Sequence, residues 1–223
     1  MKVTVAFPFR PGNEWRARSF SKVRQSYAAV LRGAEQIIVD TKHDAFNRAA
    51  ARNECVRRAS DGVVVIADAD ILPNRGALLS AVSAAARGGL HLGYNYYRAL
   101  NLESTERFFI RGGNPDALPM SHDSVDSTAG IMVIRTDEWW CAGGMDERFH
   151  KWGFEDSAFA CAARTLLGPL TYHEGTVNHL WHPSEVRMKS ESYQQNKVLY
   201  GRYAAAEGDV PAMRLILNED GRQ

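Results

Sequence analysis

The chain is 223 residues long, 45% apolar and 24% charged, with a formal net charge of +1 at pH 7. These are ordinary globular values, sufficient for one domain with a sizeable core. They exclude a membrane-spanning helix, since no stretch approaches the ~18–20 continuous apolar residues required, and they do not indicate wholesale nucleic-acid binding.

The charge is unevenly spread. Residues 1–60 hold 12 Lys/Arg against 5 Asp/Glu, and residues 121–180 hold 4 against 9. An enzyme that grips phosphates at one end and performs metal or base chemistry at the other would show this, as would solvated helix faces of uneven charge. The N-terminal MKVTVAFPFR is too short and strand-like for a signal peptide, its apolar run stopping at Pro8. Cys55, Cys141 and Cys161 are odd in number and lack metal-type spacing. A cytoplasmic protein with reduced, mostly buried thiols is expected.

Taken in chain order, the apolar, β-branched runs Val3–Phe7, Gln36–Asp40 and Val63–Ala67 predict strands, with helical patterns at Ser19–Leu31 and Asp44–Ser60 between them. Asp44 is the expected N-cap of the second helix, on which Phe46, Ala49, Ala50, Asn53 and Val56 share a face. This alternation predicts an α/β fold with a mostly parallel central sheet and flanking helices. Asn74–Gly88 reads as a further helix. Residues 91–128, with Tyr94, Tyr96, Tyr97 and Gly112-Gly113 but no sustained period, read as a long loop with one strand. Ala129–Arg135 is an expected strand, Thr136–Cys141 a short helix capped by Thr136, Glu155–Leu167 a helix and Val177–Leu180 a short strand. The organisation expected is a single domain over residues 1–223: a nucleotide-binding half at 1–75, an acceptor and catalytic half at 76–183, and a C-terminal helical wrap at 184–223.

Ligands on such sheets bind beyond the carboxyl ends of the strands, where Pro8-Phe9-Arg10, Asp40 and Asp68-Ala69-Asp70 stand. Two carboxylates at the exit of a buried strand either cap a turn or hold a cation, and magnesium and manganese favour such hard oxygen ligands. Trp152-Gly153-Phe154-Glu155-Asp156 opens a helix with two acids, either a favourable match to the macrodipole or a general base beside a flexible tryptophan. His179 and His182 stand at the exit of a strand. Alternation would put them on opposite faces, so the chain must turn between them if both bind one ion. Imidazole suits transition metals and tilts the expected ion from magnesium towards manganese.

Phe46-Asn47-Arg48-Ala49 followed by Asp68-Ala69-Asp70-Ile71-Leu72-Pro73 resembles the "FNRA…DVDLIP" core of the β-1,4-galactosyltransferases. Pro8-Phe9-Arg10 is similar to their "PFR" turn, Trp152–Asp156 to their "WGGED" motif and His179-x-x-His182 to their Met-x-x-His metal pair. The resemblance covers residues 3–183 in order. The wider inverting transferases of the GT-A fold share the Ala51-Arg52-Asn53 and aspartate-pair pattern.

The resemblance implies a GT-A domain and a role for each matched residue. Pro8, Phe9 and Arg10 would flank the uridine and diphosphate, with Asp40 beside them at its strand end, and Arg48 would face the donor. Asp68 would contact the donor, and Asp70, His179 and His182 would ligate manganese, or magnesium in its place. Trp152 and Gly153 would belong to a mobile loop closing over the donor, Glu155 would hold the acceptor sugar and Asp156 would be the catalytic base. Phe154, His179 and Ser157 depart from the family's glycine, methionine and acidic residue.

The function implied is metal-dependent, inverting transfer of a sugar of the galactose, N-acetylgalactosamine or glucose type from a UDP-sugar to a hydroxyl. The default acceptor is a glycan or lipid-linked saccharide, shaped by the Tyr-rich 94–97 stretch and the loop after it. A protein side chain or a modified DNA base is the lesser alternative, so nucleic acid enters only as an acceptor. A nucleotidyltransferase on a similar sheet would have no obvious use for Trp152-Gly153 with Asp156. A non-enzymatic sugar-binding protein would be expected to have lost Asp70, Asp156 or His182.

Overall fold

The structure, a computed structural model, describes residues 1–41, 46–125, 127–183 and 190–219. The chain begins β1 (Lys2–Pro8), α1 (Glu14–Val30), β2 (Glu35–Val39), α2 (Arg48–Arg58), β3 (Gly62–Ala67), with β1 paired in parallel to both β2 and β3. In β3, Val63, Val65 and Ala67 enter one core cluster and Val64 and Ile66 another, so the strand is buried on both faces. That explains its unbroken apolar run. Helix α1 starts five residues before its expected position because the side chain of Asn13 accepts the amide of Arg16. Asp44 lies outside the described residues. The cap of α2 is Asn47, which accepts from Ala50 N, an interaction worth ~1 kcal/mol.

The second half runs β4 (Ile71–Leu72), α3 (Arg75–Ala85), β5 (His91–Leu92), β6 (Tyr96–Leu100), α4 (Leu102–Arg111), β7 (Met120–Val125), β8 (Ile131–Arg135), α5 (Thr136–Cys141), α6 (Glu155–Leu166), β9 (Thr171–Tyr172), β10 (Thr176–His179), α7 (Glu191–Ala205) and α8 (Val210–Leu217). One sheet is ordered β2-β1-β3-β8-β5-β9 and a smaller one β4-β10-β6-β7.

Three expectations need correction. The sheets are mixed rather than mostly parallel, because β8 runs antiparallel to β3 and β5, and β4 and β7 run antiparallel to their neighbours. The amide of Asp68, at the carboxyl end of β3, is bonded to Gly130 O just before β8. A chain re-entering the sheet from that end must run backwards along β3. Residues 91–128 are not one long loop with a single strand: they form β5, β6, α4 and β7. Their strands are short and every residue of β7 is exposed, so no alternation was visible. Finally, Thr136 does not cap α5; its hydroxyl accepts from Gly62 N and no side chain caps that helix.

The single α/β domain is completed by α7 and α8, which pack on α6 through Tyr203, Met213, Ile216 and Leu217 against Phe149, Ala158 and Ala162. Cys55 and Cys161 are buried and Cys141 exposed, all three free. Burial pushes the Cys55 thiol up to about 12. Among the described residues no helix is long and apolar enough to cross a membrane.

Candidate active site

A cavity of about 880 Å³ opens at the carboxyl ends of β1 and β3, between the two sheets and α6. Asp68 and Asp70 both reach it as β3 ends. Close packing shapes this corner: a Cβ on Gly130, whose φ is +89°, would lie 2.7 Å from Ile71 Cδ1.

Strand pairing builds the metal-type cluster. β4 pairs antiparallel with β10 so that Ile71 faces His179, and the amide of Leu180 donates to Asp70 O at 2.8 Å. The strand ends at His179, the chain turns, and His182 returns to the same carboxylate. His179 Nε2 lies 3.5 Å from Asp70 Oδ1 and His182 Nε2 3.4 Å from Oδ2. One ligand atom from each of the three lies within 4.8 Å of the others. One hard carboxylate and two imidazoles form a donor set that could hold a divalent cation. Burial opposes ionisation of Asp70, but His179, His182, Arg16 and Arg48 together hold its carboxyl below the usual range. Burial likewise lowers the pKa of His179 against the pull of Asp70, favouring the neutral ring that a metal needs.

The acids of the second cluster are arranged around one cation. Arg52, 3% exposed, donates from Nη2 to Asp68 Oδ1 at 2.9 Å and from Nη1 to Glu155 Oε1 at 3.2 Å. Arg48 Nη1 stands 3.7 Å from the same Glu155 oxygen, and Gly153 N donates to Glu155 Oε2 at 3.2 Å. Burial would raise the pKa of Glu155, but Arg52 and Arg48 reverse this and keep it ionised. Asp156, on the cavity wall, is pushed up to about 6 by burial and by the charge of Glu155. Two adjacent carboxyls with opposed shifts mark a candidate base.

The loop before α6 has an unusual backbone. Phe154, where the resembling motif has glycine, adopts φ +73°, a left-handed conformation that glycine takes freely. Its ring stacks on Tyr200 at 5.2 Å and packs on Tyr193 at 5.1 Å, while Trp152 stacks on Tyr193 at 5.7 Å. The buried Asn196 of α7 donates to His150 O at 2.9 Å and Gly153 O at 3.1 Å. The C-terminal wrap therefore anchors the loop that carries Trp152.

Not every expected residue faces the cavity. Pro8, Arg48, Asp68, Asp70, Trp152, Glu155, Asp156, His179 and His182 line it. Phe9 instead stacks on Phe20 at 4.0 Å within the core. Arg10 Nε bonds both carboxylate oxygens of Asp40 at 2.8 and 3.0 Å, its Nη2 bonds Thr41 O, and its guanidinium lies over the ring of Phe46. Of the three tyrosines, Tyr97 faces the cavity, Tyr94 is buried and Tyr96 donates to Asp123. Arg52 and Arg16 had no assigned role. The i, i+4 spacing of Arg48 and Arg52 on one helix face was the available signal for the first.

No family model and no curated protein sequence matches the chain. Solved structures do. The catalytic domain of Drosophila β1,4-galactosyltransferase 7 in complex with xylobiose is 18% identical, with a TM-score of 0.59 over 88% of this chain and 79% of that one. S. aureus TarS 1–349 in complex with UDP-GlcNAc is 12% identical, with a TM-score of 0.60 over 97% and 70%. GalNAc-T7 with UDP, GalNAc and Mn2+ is 11% identical, with a TM-score of 0.54 over 95% and 52%. The likeness is one of fold, and the fold is GT-A.

Proposed function

We propose that this GT-A chain is a metal-dependent inverting glycosyltransferase that moves a sugar from a UDP-sugar to a hydroxyl acceptor. The observation that carries the reading is the union, in one cavity, of the Asp70–His179–His182 cluster with the Glu155–Asp156 pair. Its fold neighbours include structures holding UDP-GlcNAc, and UDP with Mn2+, which supports a nucleotide-sugar donor here. The sugar is of the galactose, N-acetylgalactosamine or glucose type, and the acceptor a glycan or lipid-linked saccharide.

Asp70, His179 and His182 would hold the cation. When bound, a divalent cation neutralises charge on the departing diphosphate as a Lewis acid. Asp156 accepts the proton of the acceptor hydroxyl as that oxygen bonds to the anomeric carbon. The bond from that carbon to the diphosphate oxygen breaks, and its electron pair leaves with UDP. A single displacement inverts the centre. Glu155 has both oxygens engaged, so its charge acts on Asp156 and keeps the proton affinity of the base high. Trp152 closes the donor side and excludes water.

Manganese should support release of UDP from a UDP-sugar in the presence of acceptor, and magnesium should support less. Asp70→Asn should abolish release with circular dichroism unchanged. Full activity in excess chelator, or in the variant, would overturn the reading.

A further inference from the structure

A nucleotide diphosphate carries more negative charge than one divalent cation neutralises, so the cavity needs a basic side chain free to meet it. Most of the arginines near the site are already engaged. Arg10 is held by Asp40 and Thr41, Arg52 is shared by Asp68 and Glu155, and Arg48 stands by Glu155.

Arg16 differs. It lines the same cavity as Asp70 and His182, and its buried Nε has no hydrogen-bond partner among the described residues. It makes no ion pair among those residues either. Such a donor is costly to bury unless something fills it. The local fold aims it there. Asn13 caps the Arg16 amide at 2.9 Å and fixes the first turn of α1. The adjacent Trp15 meets Trp181 edge to face at 5.3 Å, tying that turn to the segment bearing His182. A cation in the first turn of a helix is also opposed by the macrodipole. An anion seated between them would reverse that penalty.

We propose that Arg16 is the protein's principal ligand for the diphosphate of the donor, taking the place expected for Arg10. The assignment rests on the nucleotide-sugar reading for the identity of the ligand, but the anion site stands on its own geometry.

The test is calorimetry with manganese, using UDP, uridine and inorganic pyrophosphate as separate probes on the native chain, Arg16→Gln and Arg16→Lys. Loss of a charge-assisted contact should weaken UDP and pyrophosphate about 10- to 100-fold in Arg16→Gln. Uridine should bind unchanged, and Arg16→Lys should fall between, with the same melting temperature as the native chain. If Arg16→Gln binds UDP and pyrophosphate as the native chain does, the assignment is overturned while the donor reading survives. If the native chain binds pyrophosphate but not UDP, and Arg16→Gln loses it, the anion site is upheld and the donor reading falls. A native chain that binds neither overturns both.

Discussion

Asp156→Asn is expected to lower transfer by ~10²-fold or more while leaving UDP affinity nearly unchanged. The substitution keeps the shape of the side chain and removes only the proton acceptor. Its effect on stability distinguishes it from the loss of a helix-end charge, which would destabilise by ~0.3–1 kcal/mol. Burial and Glu155 raise the folded pKa of Asp156 to about 6, above the ~3.9 of an unfolded aspartate. A group shifted upward stabilises the fold below its unfolded pKa and loses that contribution as pH rises through the folded value. At neutral pH the ionised Asp156 is thus a burden, and the neutral amide should leave the melting temperature unchanged or raise it. Native transfer should climb as pH passes through about 6, with a base group titrating there. A variant that transfers at near-native rate would make Asp156 a helix-terminus residue only.

The largest stability effect is expected at Arg52. Arg52→Met removes one cation from between two carboxylates, of which Glu155 is almost wholly buried. Breaking a buried pair from one side typically costs about 3–5 kcal/mol, because the partner is left uncompensated. Arg52→Lys should recover only part of this, since a single ammonium cannot present the two ends of a guanidinium fork. Arg52 also opposes the rise at Asp156 through its charge, so in a folded Arg52→Met the base limb should move to higher pH. Urea denaturation measures the first effect and a pH profile the second. A loss under 1 kcal/mol would mean that the two acids find other partners.

How much of this was legible in the sequence depends on whether the signal was local. β1 and β3 could be read because each is a short run of apolar and β-branched residues bounded by Pro8 or by Asp68. Asp70 with His179 and His182 could be named from residue type and strand exit, although only the β4–β10 register explains how the two rings reach one carboxylate. The direction of β8 was invisible, since Ile131–Arg135 has the same composition in either orientation. Helix α4 was missed because the residues it buries are the polar Ser104 and Thr105 rather than an apolar stripe. The role of Arg52 required a partner 103 residues away. That of Arg16 required knowing which arginines were already taken.

Among the described residues the strand β7 pairs with β6 on one side and with no strand on the other, and all six of its own residues are exposed. A free strand edge is a template on which a second copy of the chain can pair. The central residues Ser121, His122, Asp123 and Ser124 form no apolar run and place a charge in the middle, a composition ill suited to stacking between chains. The constraint on these positions is therefore colloidal. Asp123→Val would forfeit little of the fold beyond the bond from Tyr96. It should nonetheless create, with Val125, an apolar edge that drives self-association at high concentration, detectable by light scattering while the melting temperature holds.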